Sequence, residues 1–153
     1  MKKTYVLDTN ILIQAPYALH CFQENQVVIP LAVVEELDGL KRAEGERGRS
    51  ARAAIRALEE LRCGGDLLSG VPLPGGGTVR IEQNFIHVTL PPDLPEDQMD
   101  NRILMVCKGL REAGADQVIL VTKDLLLRVK AQILGIPAED FTTEQISADD
   151  AAY

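Results

Sequence analysis

The stretch Tyr5-Val6-Leu7-Asp8-Thr9-Asn10 predicts a short buried strand that ends in a carboxylate, a hydroxyl and an amide. Its apolar half is followed at once by its polar half. In open α/β sheets, ligands bind at the carboxyl ends of the strands. We therefore expect Asp8 to belong to a functional site, with its partners at the ends of neighbouring strands.

Two further apolar runs predict strands beside the first. Gln26-Val27-Val28-Ile29 is followed by Pro30, which is tolerated in the first turn of a helix. Val118-Ile119-Leu120-Val121-Thr122 is apolar without alternation, as is typical of a parallel strand covered on both faces. Apolar residues recur at helical spacing between these runs. The alternation of strands and helices predicts an α/β fold, a three-layer α/β/α sandwich with a mainly parallel central sheet.

The segment 71–92 has a different pattern. Residues 78–82 and 85–89 alternate between apolar and polar side chains, which predicts a short β-hairpin, or two short edge strands, inserted into the main fold. The last residues, 147–153, are small and acidic, and we expect them to be flexible. The chain of 153 residues is thus expected to form one domain over residues 1–146.

The composition favours a cytoplasmic protein with an aliphatic core. Apolar residues make up 46% of the chain and aromatic residues only 4%, with no Trp. The net charge of −7 excludes general polyanion binding by bulk charge, so a nucleic-acid role needs a local basic patch or a metal. No apolar run approaches the roughly 18 residues of a membrane span. The three cysteines, none in CxxC spacing, predict buried reduced thiols and not a zinc site.

Helical phase, with about 100° of rotation per residue, separates candidate site residues from bystanders. On the helix that Pro30 opens, Glu36 lies at the edge of the apolar stripe, roughly 90° from its centre, whereas Glu35 faces solvent. On a later helix, Asp100 lies within about 40° of the apolar stripe and Asn101 points away from it. A carboxylate on an apolar stripe is costly unless it is paired or bound to a metal. Glu36 and Asp100 are therefore the predicted inward-facing acids.

Asp8 and Asp124 each lie at the end of a strand, and Thr122 adds a hydroxyl beside Asp124. With Glu36 and Asp100 they form a set of carboxylates that would repel one another unless a cation lies between them. Mg²⁺ and Mn²⁺ are hard ions that take such oxygen ligands. The alternative is that Asp8 and Asp124 are simple helix N-caps and that Glu36 is a solvated helix residue. Both interpretations stand at this point.

Four segments in a fixed order carry a family resemblance: Val6–Leu12, Ile29–Leu31 with Val34–Asp38, Asp100–Leu104 and Val121–Asp124. Together they resemble the PIN domain, a metal-dependent nuclease fold, over nearly the whole chain. The resemblance implies that the catalytic residues and ligands of Mg²⁺ or Mn²⁺ are Asp8, Glu36, Asp100 and Asp124. It also implies supporting roles for Thr9, Asn10 and Thr122.

Further segments make the resemblance more specific: 46–52, 70–74, 123–131 and 138–140. They are similar to the PIN domain at the N-terminus of PhoH-like ATPases. In that family a P-loop ATPase follows the PIN domain. The resemblance therefore implies that this chain is a fragment, that residues 147–153 begin a linker, and that the ATPase domain of the full-length protein is a partner. A homo-oligomer is also compatible with the sequence.

Positive charge concentrates shortly after Glu36. Lys and Arg contacts to phosphate are independent of base sequence, so we expect this segment to guide single-stranded RNA to the acids. The predicted RNA-binding residues are Lys41, Arg42, Arg47, Arg49 and Arg52, with Lys123 beside the acids. The alternative is a solvated surface, because glutamates are interleaved with these residues. Ser50 is the predicted N-cap of the helix in this segment.

The leading functional prediction is a divalent-metal-dependent endoribonuclease that hydrolyses phosphodiester bonds of single-stranded RNA. The alternative is a catalytically weak RNA-binding or regulatory PIN domain that acts with a partner ATPase. A phosphoryl-accepting receiver domain is disfavoured because Pro30, and not an aspartate, follows the second strand. A haloacid-dehalogenase-type phosphatase would need Asp-x-Asp, and Asn10 stands at the second acidic position.

Overall fold

Helices and strands alternate along the part of the chain that the structure describes. This structure is a computed structural model and describes residues 2–83, 85, 88–95, 98–115 and 117–141. The helices are α1 Thr9–Gln14, α2 Leu31–Leu40, α3 Gly45–Cys63, α4 Met99–Glu112 and α5 Leu125–Ile133, with a 3-10 helix at Pro16–His20. The strands are β1 Thr4–Leu7, β2 Gln26–Pro30, β3 Val71–Pro72, β4 Thr78–Glu82, β5 Val118–Val121 and β6 Ala138–Glu139.

The described strands form a sheet in the order β3-β4-β2-β1-β5-β6. Neighbouring strands are parallel except β3 and β4, which run antiparallel. Because β1 lies between β2 and β5, the chain changes to the other side of β1 when it enters β5. Such a reversal of strand order creates the crevice in which open α/β sheets bind ligands. The carboxyl ends of β1 and β5 flank this crevice.

Side chains on both faces of the central strands are buried. Val27, Val28 and Ile29 are consecutive in β2 and fully buried, although successive side chains of a strand point to opposite faces of the sheet. Other layers must therefore cover both faces, which gives the three-layer arrangement expected from the sequence. The core is mainly aliphatic, as predicted, with a few rings such as Phe22 and Phe141.

The start of α3 differs from the prediction, because the helix begins at Gly45 and Ser50 lies inside it. Gly45 has a φ of +82°, a conformation that L side chains rarely adopt. A Cβ on Gly48 would overlap the carbonyl oxygen of Ala43. These glycines therefore allow α3 to begin early and to approach the α2–α3 connection closely, and they do not interrupt the helix.

The predicted hairpin between residues 78–82 and 85–89 is wrong in its pairing. β4 occupies the first arm, but it pairs in parallel with β2 along its whole length and antiparallel with β3. The described residues of the second arm are not in a strand, and residues 84, 86 and 87 lie outside the described part of the chain. Period-two alternation indicates an extended strand but does not identify its partner.

Three expectations from the sequence concern membrane spans, the cysteines and the C-terminal tail. Among the described helices, none is long and apolar enough to cross a membrane. Cys107 is buried and Cys21 is half-buried, but Cys63 is exposed at the end of α3, so the prediction of buried thiols is wrong there. The predicted flexible tail, 147–153, lies outside the described residues.

Candidate active site

Asp8 lies at the carboxyl end of β1, where it caps α1. Its Oδ1 accepts a 2.7 Å hydrogen bond from the Thr9 backbone N–H. Its own N–H donates to the carbonyl oxygen of Val121 in β5, over 3.1 Å. The residue is only 5% exposed. Capping and a role in the site are therefore compatible, because the cap holds the buried carboxylate at the crevice between β1 and β5.

Thr122 connects the two strand-end acids. Its buried hydroxyl donates a 2.9 Å hydrogen bond to Asp8 Oδ2 and accepts one of 3.1 Å from the backbone N–H of Asp124. Asp124 in turn caps α5, because its Oδ1 accepts a 2.9 Å hydrogen bond from the N–H of Leu126. A single hydroxyl thus bridges the polar groups that follow β1 and β5.

Burial raises the pKa of the Asp8 carboxyl above its ordinary value. The hydrogen bonds from Thr122 and Thr9 oppose this rise in pKa, whereas the negative charges of Asp100 and Glu36 add to it. Both acids therefore lie close enough to Asp8 for electrostatic coupling. A cation near Asp8 would favour its ionised form and relieve the repulsion.

The burial of the two helix acids follows the predicted helical phase. Glu36 and Asp100 are half-buried, whereas Glu35 is exposed. The described part of the chain contains no group of three or more Asp, Glu, His or Cys side chains that could hold a metal ion. The acids are therefore electrostatically coupled without forming a closed ligand cluster.

Asn101 differs from its predicted orientation, because it is completely buried. Its Nδ2 donates a 2.7 Å hydrogen bond to the carbonyl oxygen of Pro95, and its Oδ1 accepts one of 3.2 Å from Lys130 Nζ. The prediction is wrong because α4 contacts α2, β5 and α5, so more than one of its faces is covered. Asn101 links the first turn of α4, which carries Asp100, to α5.

The donor set suits a hard divalent cation. The acids and the hydroxyls beside them supply only oxygen, which Mg²⁺ and Mn²⁺ prefer. Thr9 Oγ1 is buried and has no hydrogen-bond partner within the described residues. Buried polar atoms are normally paired, so an unpaired hydroxyl next to Asp8 fits a position where a ligand or a water binds.

The basic segment reaches the candidate site through Arg47. Its Nη2 donates a 3.3 Å hydrogen bond to Asn10 Oδ1, so the guanidinium lies beside the polar residues that follow β1. Arg47 belongs to the first turn of α3, which the close approach of Gly48 to Ala43 holds in place. The tertiary structure thus brings one predicted RNA-binding residue next to one predicted supporting residue.

The other predicted RNA-binding residues have different surroundings. Arg52 Nη1 donates a 2.6 Å hydrogen bond to the carbonyl oxygen of Lys41, and Lys41 Nζ lies 2.6 Å from Asp38 Oδ1. Lys123 Nζ lies 3.9 Å from Asp140 Oδ1. Arg42 and Arg49 are exposed. These cations therefore lie at the surface, where a phosphate backbone can approach them.

An ion pair between Arg80 and Glu82 in β4 was not predicted from the sequence. The side chain of Glu82 is only 7% exposed and that of Arg80 is 26% exposed. Glu82 is opposite Pro30 in the register of β4 with β2, so it adds a carboxylate to the carboxyl edge of the sheet. The available signal was the Arg-x-Glu spacing, because alternate residues of a strand share a face.

The fold and the acids at its crevice define the class of protein. The family model of the PIN domain matches residues 5–142, and the chain belongs to the PIN domain family. PIN domains are nucleases and generally use divalent metals. The chain is therefore a nuclease-type module.

Within that family, the chain is similar to proteins named PhoH2. It is 47% identical over 161 residues to PhoH2 of Bacillus subtilis, in a match that covers 100% of this chain and 36% of that protein. PhoH2 of Thermobispora bispora is 44% identical over 141 residues, with 91% and 32% covered. PhoH2 of Mycolicibacterium smegmatis is 40% identical over 147 residues, with 94% and 33% covered. The chain spans about a third of the length of these curated relatives.

A solved structure shares the fold at low sequence identity. It is a domain of a functionally unknown protein from Methanocaldococcus jannaschii, with a TM-score of 0.56 and 20% identity. The match covers 92% of this chain and 91% of that one. The likeness concerns the fold alone.

Proposed function

We propose that this domain is a divalent-metal-dependent endoribonuclease that hydrolyses phosphodiester bonds of single-stranded RNA. One observation carries the proposal: the Thr122 hydroxyl joins Asp8 to the backbone of Asp124 at the crevice, where Asp100 and Glu36 also act on Asp8. Like charges are held near one another there despite their repulsion. Such an arrangement favours cation-dependent chemistry over a purely structural role.

The proposed catalytic residues and metal ligands are Asp8, Glu36, Asp100 and Asp124. The proposed supporting residues are Thr9, Asn10 and Thr122. A bound Mg²⁺ or Mn²⁺ ion supplies activation of water and stabilisation of charge on the phosphate oxygens. Thr122 keeps the Asp8 carboxylate in one orientation, and the N-cap hydrogen bonds of Asp8 and Asp124 anchor both carboxylates to helix starts.

The proposal of an RNA substrate is supported by the basic start of α3. Arg47 lies beside Asn10, and Arg49 on the same helix is exposed. Arginine contacts to phosphate position a strand without reading its bases. The proposed RNA-binding residues are Lys41, Arg42, Arg47, Arg49, Arg52 and Lys123. Locally concentrated positive charge offsets the net negative charge of the chain at this surface.

A cleavage assay tests the catalytic proposal. Labelled single-stranded RNA should be cut in the presence of Mn²⁺ and left intact without metal, and Asp8→Asn and Asp124→Asn should each abolish cutting. Asp93→Asn neutralises an exposed aspartate that is not among the proposed ligands and should cut like the wild type. Cleavage of equal rate in the wild type and both site variants would identify a contaminating nuclease and refute the proposal.

Charge reversal on α3 tests the RNA-binding proposal. Arg47→Glu should weaken RNA binding and reduce the slope of log K against log salt by about 0.7 for each phosphate that the protein no longer neutralises. Arg62→Glu makes the same charge change at the far end of α3, where Arg62 pairs with Glu59, and should bind like the wild type. Unchanged binding by the combined Arg47→Glu and Arg49→Glu variant would show that the basic segment does not bind RNA.

The second candidate function is a catalytically weak RNA-binding or regulatory domain that acts with a partner ATPase domain in the cytoplasm. The observation in its favour is length, because the chain matches only about a third of each PhoH2 relative. In this case the isolated domain binds RNA through α3 but does not cut it. Cleavage that requires the full-length protein and ATP would favour this candidate over the first.

A further inference from the structure

A cavity of about 330 Å³ opens beside the candidate active site, between the carboxyl ends of β2 and β4 and the helices α2 and α4. None of the proposed metal ligands lines it, so it is a separate compartment. It shares two helices with the acids. Glu35 lines the cavity and directly precedes Glu36 on α2, and Arg102 lines it shortly after Asp100 on α4. In the parallel pair β1–β2, Val6 is opposite Val28, which places Asp8 beside Pro30, a residue that lines the cavity, so a ligand there would lie near Asp8.

Part of the cavity wall is apolar. This part includes Leu31, Phe85, Met105 and Val106, and the last two are also part of the hydrophobic core. Gly109 makes room for the aromatic ring, because a Cβ at this position would overlap Phe85 Cγ. Aromatic and aliphatic walls of this kind accept a nucleobase, whose faces are apolar and whose edge is polar.

Polar groups of both hydrogen-bonding types also line the cavity. The acceptor carboxylates are Glu35 and Glu82, and donors come from Gln83 and Arg102. Glu82 is buried, and the Arg80 guanidinium that contacts its Oε2 balances its charge. A buried carboxylate held in this way favours a ligand that presents N–H donors.

We infer that the cavity binds a nucleobase of the RNA strand, with a preference for guanine, next to the phosphate that is cleaved; this inference rests on the proposed function. Guanine presents the adjacent donors N1–H and N2–H to a carboxylate such as Glu82, and its O6 and N7 accept from arginine such as Arg102. Adenine and cytosine place an acceptor beside their amino group, and uracil has a single donor on this edge. Each of these bases therefore presents fewer adjacent N–H donors to a carboxylate than guanine does.

Methionine-methyl NMR tests base binding without any cleavage step. The chain has three methionines, and Met105 lines the cavity, so its methyl signal reports on a bound ligand. In the presence of EDTA, 5′-GMP should shift this signal saturably. The nucleotides 5′-AMP, 5′-CMP and 5′-UMP should bind about tenfold more weakly, because a hydrogen bond to a charged group is lost. A Met105→Leu variant assigns the signal.

Two substitutions connect the binding to named side chains. Glu82→Gln keeps the size of the side chain but replaces an acceptor oxygen by a donor amide, and the preference for GMP should fall about tenfold. Leu31→Trp introduces a tryptophan at the cavity into a chain that has none, and GMP should quench its fluorescence. Ile133→Trp is the matched control, because Ile133 is 62% exposed on α5 and does not line the cavity.

The outcomes separate this inference from the proposed function. A saturable GMP shift that persists in Asp8→Asn supports the base site even where RNA is not cleaved. Absence of both the shift and the quenching with all four nucleotides overturns the inference, as does equal binding of the four or a GMP preference that survives in Glu82→Gln. RNA cleavage without nucleotide binding would support the proposed function and refute the base site.

Discussion

The Thr122→Val substitution removes one hydroxyl and tests whether that hydroxyl organises the candidate site. Valine has nearly the same shape as threonine, and Thr122 is completely buried, so packing is conserved. The variant loses the hydrogen bond to Asp8 Oδ2 and the acceptor for the Asp124 N–H. A hydrogen bond to a charged group contributes about 1.5–3 kcal/mol, and an unpaired donor adds about 1 kcal/mol or more. We expect the free energy of unfolding to fall by about 3 kcal/mol at neutral pH.

The same variant should change the pH dependence of activity. The hydrogen bond from Thr122 lowers the pKa of Asp8 and partly offsets the effect of burial. Without it the pKa of Asp8 rises further, so the acid limb of the activity profile should move to higher pH. The stability loss should shrink in acid, because a protonated Asp8 no longer accepts a charge-assisted bond. Urea unfolding at several pH values and the pH profile of metal-dependent RNA cleavage measure both effects.

Thr89→Val is the matched control for this experiment. Thr89 is exposed outside the helices and strands, so the same chemical change should leave stability within about 0.5 kcal/mol of the wild type. If Thr122→Val were as stable as the wild type and kept its pH profile, the hydroxyl would not hold Asp8 and the reasoning would be refuted.

Three further predictions concern the acids, the glycines and the buried amide. Because burial and neighbouring acids raise the pKa of Asp8 above 3.8 in the folded chain, its ionisation costs stability as pH rises through the folded pKa. Asp8→Asn should therefore unfold at higher urea concentration than the wild type at pH 7, and this advantage should disappear below the ordinary pKa of 3.8. The variant should also lack cleavage activity. A variant that is less stable than the wild type at pH 7 would contradict this prediction. Gly48→Ala should lower the free energy of unfolding by about 1–3 kcal/mol and weaken RNA binding. Gly39→Ala, with open space around its Cβ, is the control and should be neutral or stabilising by up to about 1 kcal/mol. Equal effects of the two substitutions in calorimetry would disprove the role of the close approach between Gly48 and Ala43. Asn101→Ala should lower the free energy of unfolding in urea by about 1–3 kcal/mol, because the Pro95 carbonyl and the Lys130 ammonium lose their hydrogen-bond partner. A loss below about 0.5 kcal/mol would count against the Asn101 bridge.

Secondary-structure elements whose signal lies in consecutive residues could be predicted from the sequence. The apolar run before Asp8 and the apolar run before Thr122 indicated two strands, and the helix starts after Asp8 and Asp124 follow from ordinary capping preferences. Helical phase also distinguished half-buried Glu36 from exposed Glu35, since only local geometry is needed. The mainly parallel sheet followed from the alternation of strands and helices.

Features that depend on which elements meet could not be predicted in this way. The partner of β4 is β2 and not the next segment of the chain, because strand pairing is decided by the whole sheet. Asn101 is buried because α4 is covered on more than one face, whereas helical phase considers a single apolar stripe. The start of α3 depends on Gly48 meeting Ala43.

The sequence by itself determined that this chain has an α/β architecture with a carboxylate at the end of its first strand, because periodicity, capping and strand ends are local properties. Only the tertiary structure decided that Thr122 bridges Asp8 and the Asp124 backbone, that Arg47 reaches Asn10, and that a cavity containing Glu82 opens beside them. The physical reason is that hydrogen bonds, burial and Coulomb interactions depend on distances between residues far apart in the chain. Those distances are set by the packing of the sheet and its helices.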